Sequence, residues 1–176
     1  MKTIYASIKF LLVSATFLAI GFAQTLVAAE AKQLPYSANG PDVVIQEAPH
    51  PDCGPGRLKV EIEGSGQRTH IGQYTIIRQH CFNLATAAIE DGHFEQTAAN
   101  GDKLWGTYYG HPAGVLEFDE NGKPIVILIA SPWTITGGTG RFVDTEGNGD
   151  TKGVFDFVTK EGTFSMNGWI SYSASK

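Results

Sequence analysis

Helical periodicity is all but missing from this sequence, basic charge is scarce, and only two cysteines occur in 176 residues. Each shortage excludes something. Without a C-x-x-C spacing, the cysteines give no framework for a structural zinc site. No run of lysine and arginine is present, and 13 basic residues face 18 acidic ones. The net charge of −5 becomes −7 once Lys2 and Lys9 of the N-terminal segment are set aside. An acidic surface repels phosphate, so neither nucleic acid nor an anionic membrane surface is an expected partner. No apolar run reaches the ~20 residues of a membrane-spanning helix, so stable membrane insertion is not expected. No G-x-S-x-G elbow supports hydrolase chemistry. Apart from a hint over 83–89, no segment after the N-terminus repeats its apolar residues at helical spacing.

The N-terminal 29 residues read as a signal peptide. Lys2 and Lys9 form a positive start, and an apolar run follows from Phe10 to Phe22. Val27 and Ala29 then stand at the −3 and −1 positions of a cleavage site. Cleavage after Ala23 and an uncleaved anchor remain as alternatives. The expected location is outside the cytoplasm, periplasmic or extracellular. In such an oxidising compartment Cys53 and Cys81 most simply form one disulfide; two free thiols are the alternative.

Residues 30–56 carry Pro35, Pro41, Pro49, Pro51 and Pro55 with an Asn39-Gly40 pair, and read as a Pro-rich arm or linker with at most an edge strand at 43–45. From residue 57 to 176 the texture is all-β. Short β-rich runs at 58–63, 69–81, 92–98, 103–109, 115–119, 125–136, 153–159 and 163–172 alternate with turn signals. Asn100-Gly101 and Asn121-Gly122 suit two-residue hairpin turns, and Lys160-Glu161-Gly162 a three-residue loop with glycine in the left-handed position. Gly137, Gly138 and Gly140 suit a sharp bend; with no following helix and no lysine they make a poor phosphate cradle. Consecutive hairpins predict a single eight-stranded, up-and-down antiparallel barrel, because closure removes exposed strand edges. Such a barrel is either filled by its own side chains or holds one small ligand.

Candidate site residues come from the hairpin around Asn100-Gly101. A two-residue turn pairs Ala99 with Asp102, Glu95 with Gly106 and His93 with Tyr108, which places His93, Glu95 and Tyr108 on one face. If that face is the lumen, a carboxylate, an imidazole and a phenol converge for acid–base work. In the other orientation Phe94, Trp105 and Tyr109 point inward, as apolar faces usually do. Tyr74 and Trp133, from an aromatic complement of 3 Trp, 6 Tyr and 10 Phe, complete the candidate pocket. His70 and His80 are over 30 Å apart on a straight strand and cannot share a metal. The acidic stretch 144–150 resembles the start of a calcium loop, but Phe155 stands where the closing acid belongs. No metal and no cofactor is expected.

The run from Thr134 to Phe142, with Gly147, the closing Gly168-Trp169-Ile170-Ser171-Tyr172 and the hairpin Ala99-Asn100-Gly101-Asp102, resembles the allene oxide cyclase and dirigent barrel superfamily over residues 57–172. That resemblance implies an eight-stranded antiparallel barrel, often a homo-oligomer, with an apolar lumen and no cofactor. Family members steer cyclisation or radical coupling of small hydrophobic molecules. Val143-Asp144-Thr145-Glu146 departs from the plant dirigent pattern, so no catalytic role is carried over. The functional expectation is an exported barrel that binds a small, largely apolar molecule. A cofactor-free cyclase or isomerase, and a secreted interaction module with a filled core, are the alternatives.

Overall fold

The computed structural model describes residues 32–171; the segment read as a signal peptide, its expected cleavage site and Tyr172 lie outside the described residues. Eight strands follow one another: β1 (Leu34–Pro49), β2 (Arg57–Arg68), β3 (Gly72–Asn83), β4 (Ile89–Ala98), β5 (Lys103–Phe118), β6 (Pro124–Gly138), β7 (Glu146–Asp156) and β8 (Glu161–Ser171). Each pairs antiparallel with its sequence neighbour, and β1 pairs with β8 to close the barrel. Among the described residues no helix is long and apolar enough to cross a membrane.

The expected eight strands are reached by a different route. The stretch read as an arm supplies β1, which pairs with both β2 and β8. Its alternation is plain once the prolines are discounted: Tyr36, Ala38 and Asp42 are buried between exposed neighbours. Asn39-Gly40 is not a turn there. Gly40 lies so close to β2 that a Cβ would run into the Ser65 carbonyl. In compensation, the runs at 103–109 and 115–119 are one strand, β5, which passes through Pro112 with breaks in its pairing to β6.

The hairpin turns also differ from expectation. At β4–β5, the Gly101 amide donates to the Ala98 carbonyl and the Ala98 amide to the Asp102 carbonyl. Of Asn100 and Gly101 only the glycine has positive φ, at 86°. This is a three-residue loop ending on a left-handed glycine, not a two-residue type I′ turn. Asn121-Gly122 repeats the arrangement between Asp119 and Lys123. At β7–β8 the left-handed residue is Lys160 itself, with φ 63°, and Gly162 lies within β8.

One end of the barrel is packed solid. Tyr36, Leu104, Phe142 and Ile170 are wholly buried there, with Trp133 and Met166 above them. Phe142 is set in place by the Gly-rich bend, which becomes a short 3-10 turn over Gly140–Phe142. The Arg141 guanidinium ties that turn to the β2–β3 connection by donating to the Ile71 carbonyl at 3.1 Å. At the other end Cys53 and Cys81 are bridged, Cα atoms 5.4 Å apart, which fastens the β1–β2 connection to β3.

Candidate functional site: the open half of the barrel

Above the packed end the barrel encloses a cavity of about 80 Å³, open toward the β3–β4 and β7–β8 connections. Its walls are mostly apolar, with Ile62, Phe82, Phe94, Ile127, Phe155 and Phe164 prominent. Two of the polar groups that reach it, Arg78 and His80, come from β3, whose inward face runs Tyr74, Ile76, Arg78, His80.

His80 and Tyr108 form the first polar pair. The imidazole Nδ1 lies 2.8 Å from the Tyr108 hydroxyl, with the rings edge to face at 5.8 Å. Burial, and behind it the Arg78 guanidinium, lowers His80 from 6.5 to about 4, so the imidazole is neutral near pH 7. Burial pushes the Tyr108 phenol well above the ordinary tyrosine range. A neutral imidazole both donates and accepts. The pair therefore offers a hydrogen-bonding edge and a proton path without net charge.

Arg78 forms the second. Its Nη1 donates to the Asp42 carboxylate in a buried ion pair between β3 and β1, and its guanidinium lies 5.3 Å from the centre of the Phe164 ring. Burial raises the Asp42 carboxyl, while Arg78 and then Arg68 pull it back down. Deeper still, Arg68 donates to the Tyr36 hydroxyl and lies 4.2 Å over the Tyr74 ring. Tyr36 in turn donates to Gln96 at 3.1 Å. Glycines make room for these groups. At Gly64 a Cβ would collide with the Asp42 carboxylate, and at Gly106 it would lie 2.6 Å from Phe94.

The candidate residues divide accordingly. Tyr108 and Trp133 line the cavity, and Trp133 packs 5.3 Å from Tyr36. Tyr74 is buried below, beneath Arg68. His93 and Glu95 lie on the outer face, where Glu95 is 45 % exposed and accepts from the Lys103 amine at 2.7 Å. The shared face of His93, Glu95 and Tyr108 is thus corrected. Glu95 pairs with Trp105, and Gly92, not His93, with Tyr108. The extra residue in the Asn100-Gly101 loop slips the pairing by one, which turns β5 over relative to β4. In the opposite orientation Phe94 is inward as expected, but Trp105, paired with Glu95, lies on the outer face and Tyr109 is exposed.

No family model and no curated protein matches the chain by sequence. By structure, the chain resembles the pterocarpan synthase dirigent protein GePTS1, with a TM-score of 0.51 over 85 % of this chain and 90 % of that one. The barrel is dirigent-like. At 12 % identity the likeness is one of fold.

Polar residues in and beside the lumen of this barrel that the Asn100-Gly101 hairpin does not mark include Asp42, Arg78 and His80. The last two share an alternating face with Tyr74 and Ile76, which was the available signal. Among the described residues no three histidine, cysteine or acidic side chains gather to hold a metal.

Proposed function

We propose that the chain binds one small, largely apolar molecule in the open half of its barrel. One observation carries this reading: an apolar cavity into which a buried neutral His80–Tyr108 pair and the Arg78 guanidinium project. Ligand sites combine apolar walls with a few convergent polar groups in this way. At about 80 Å³ the space is well below the several hundred Å³ common for drug-sized ligands, which favours an occupant of single-ring size. The Cys53–Cys81 bridge supports work outside the reducing cytosol, in keeping with the export signal read from residues 1–29.

A second reading, a cofactor-free isomerase or cyclase, draws on the same pair. A neutral imidazole touching a phenol in a desolvated pocket can relay a proton to or from a bound carbonyl or hydroxyl. The filled-core alternative describes only the Phe142 end of the barrel.

Toluene tests the binding reading. Calorimetry on the natural protein is expected to give saturable binding with one site. Ile129→Trp, which fills the cavity from β6, is expected to abolish it while preserving cooperative unfolding. Toluene binding unaffected by that substitution would move the ligand elsewhere.

A further inference from the structure

Among the described residues three buried side chains carry a formal charge, Asp42, Arg68 and Arg78. Two are positive and one is negative. The single carboxylate is bonded to Arg78, and none of the ion pairs among the described residues includes Arg68. Arg68 rests instead on uncharged partners: the Tyr36 hydroxyl, the Met166 sulfur at 3.1 Å and the Tyr74 ring. Its Nε has no hydrogen-bond partner. His80 stays neutral and supplies no compensating charge. A guanidinium does not lose its proton in a protein. The interior therefore holds one positive charge more than it neutralises, and a buried charge without a counter-ion is costly.

Both guanidiniums act on the Asp42 carboxyl, so one carboxylate serves two arginines. Of the two, Arg78 faces the lumen, among Phe82, Phe94, Phe155 and Phe164. A planar carboxylate is the group that a guanidinium's forked donors fit best. Resting on the ligand-binding reading above, we propose that the occupant is a small aromatic carboxylate, its ring among the phenylalanines and its anionic end against Arg78. With it bound, two arginines face two carboxylates and the interior is neutral. The narrow cavity, about 80 Å³, sets an upper limit of about one ring and leaves no room for a long acyl chain.

The test compares benzoate with benzamide, which have nearly the same shape and differ in charge. Calorimetry at pH 7 and low salt is expected to show benzoate binding at least roughly tenfold tighter. Arg68→Met removes the surplus charge at a residue that does not itself line the cavity, though its partner Met166 does, and is expected to erase most of that preference. Asp42→Asn frees a second positive charge and is expected to tighten benzoate binding further. Damage to the fold would only weaken it. Equal affinity for the two probes, or weaker benzoate binding by a folded Asp42→Asn protein, overturns the charge assignment while the binding reading stands. If toluene, benzoate and benzamide all fail to bind, the binding reading itself is wrong.

Discussion

His80 is the residue whose environment has the most direct consequence. Its folded-state value of about 4 lies below the ordinary 6.5 of an exposed imidazole. Above pH 6.5 the ring is neutral both folded and unfolded, and pH has no leverage through it. Between pH 6.5 and about 4 the unfolded chain takes up a proton that the folded barrel refuses, so stability is lost as pH falls through that window. Below about 4 both states are protonated and the loss levels off. The gap amounts to about 3 kcal/mol. Asp42, raised by burial, acts in the opposite sense at the acid end, so the comparison must be with a variant that changes His80 alone. Denaturant unfolding at pH 7 and pH 4.5 is expected to show a smaller acid loss for His80→Gln than for the natural protein; parallel losses would mean the imidazole is solvated. Tyr108→Phe leaves the Nδ1 of His80 without its partner and is expected to cost about 1–3 kcal/mol at pH 7. The burial of His80 was legible in part, since it alternates with Tyr74, Ile76 and Arg78. Its partnership with Tyr108 was not, because that contact spans two strand pairings whose register hangs on a turn.

Turns decide the elements. The sequence marks both Asn-Gly pairs as hairpin tips, and both are. It does not say whether two residues or three make the loop, and one residue decides which face of β5 looks inward. The distinction is measurable. In a type I′ turn both central residues need positive φ, whereas here Gly101 alone has it. Gly101→Val is therefore expected to lower stability by roughly 1–3 kcal/mol. Asn100→Ala, which loses only side-chain bonds to Asp102, is expected to cost well under half as much. Similar losses at the two positions, read by thermal unfolding, would restore the two-residue turn and with it the inward placing of Glu95. The strands themselves were legible wherever alternation was clean, as over 92–98. They were illegible where proline and glycine sit inside a strand. Those residues break isolated strands, yet Gly40 is required by the closeness of β2, and Pro112 sits where the β5–β6 pairing is already interrupted.

At the scale of the whole molecule, what holds the barrel shut is the segment that its composition marks as loose. The Cys53–Cys81 bridge closes a loop of sequence separation 28 near the open end. In the chain-entropy model its loss costs roughly 3–4 kcal/mol, so the Cys53→Ser/Cys81→Ser protein is expected to melt markedly lower than the bridged one yet keep its strand content. Loss of β1 should be of another order. β1 pairs along one side with β2 and along the other with β8. It supplies Tyr36, which fills the packed end and accepts from Arg68, and Asp42, the single buried carboxylate among the described residues. A fragment covering 50–176 has two open strand edges and two buried guanidiniums with no counter-ion, and both faults are severe. A fragment covering 30–176 retains every strand. The shorter fragment is expected to show no cooperative unfolding transition and to aggregate, and the longer one to fold with the near-ultraviolet signal of packed aromatics. Were 30–56 a dispensable arm, as its five prolines suggest, the two fragments would melt alike. Such a result would overturn β1 as a wall of the barrel, and with it the pairing of Asp42 and Arg78 on which the charge of the lumen depends.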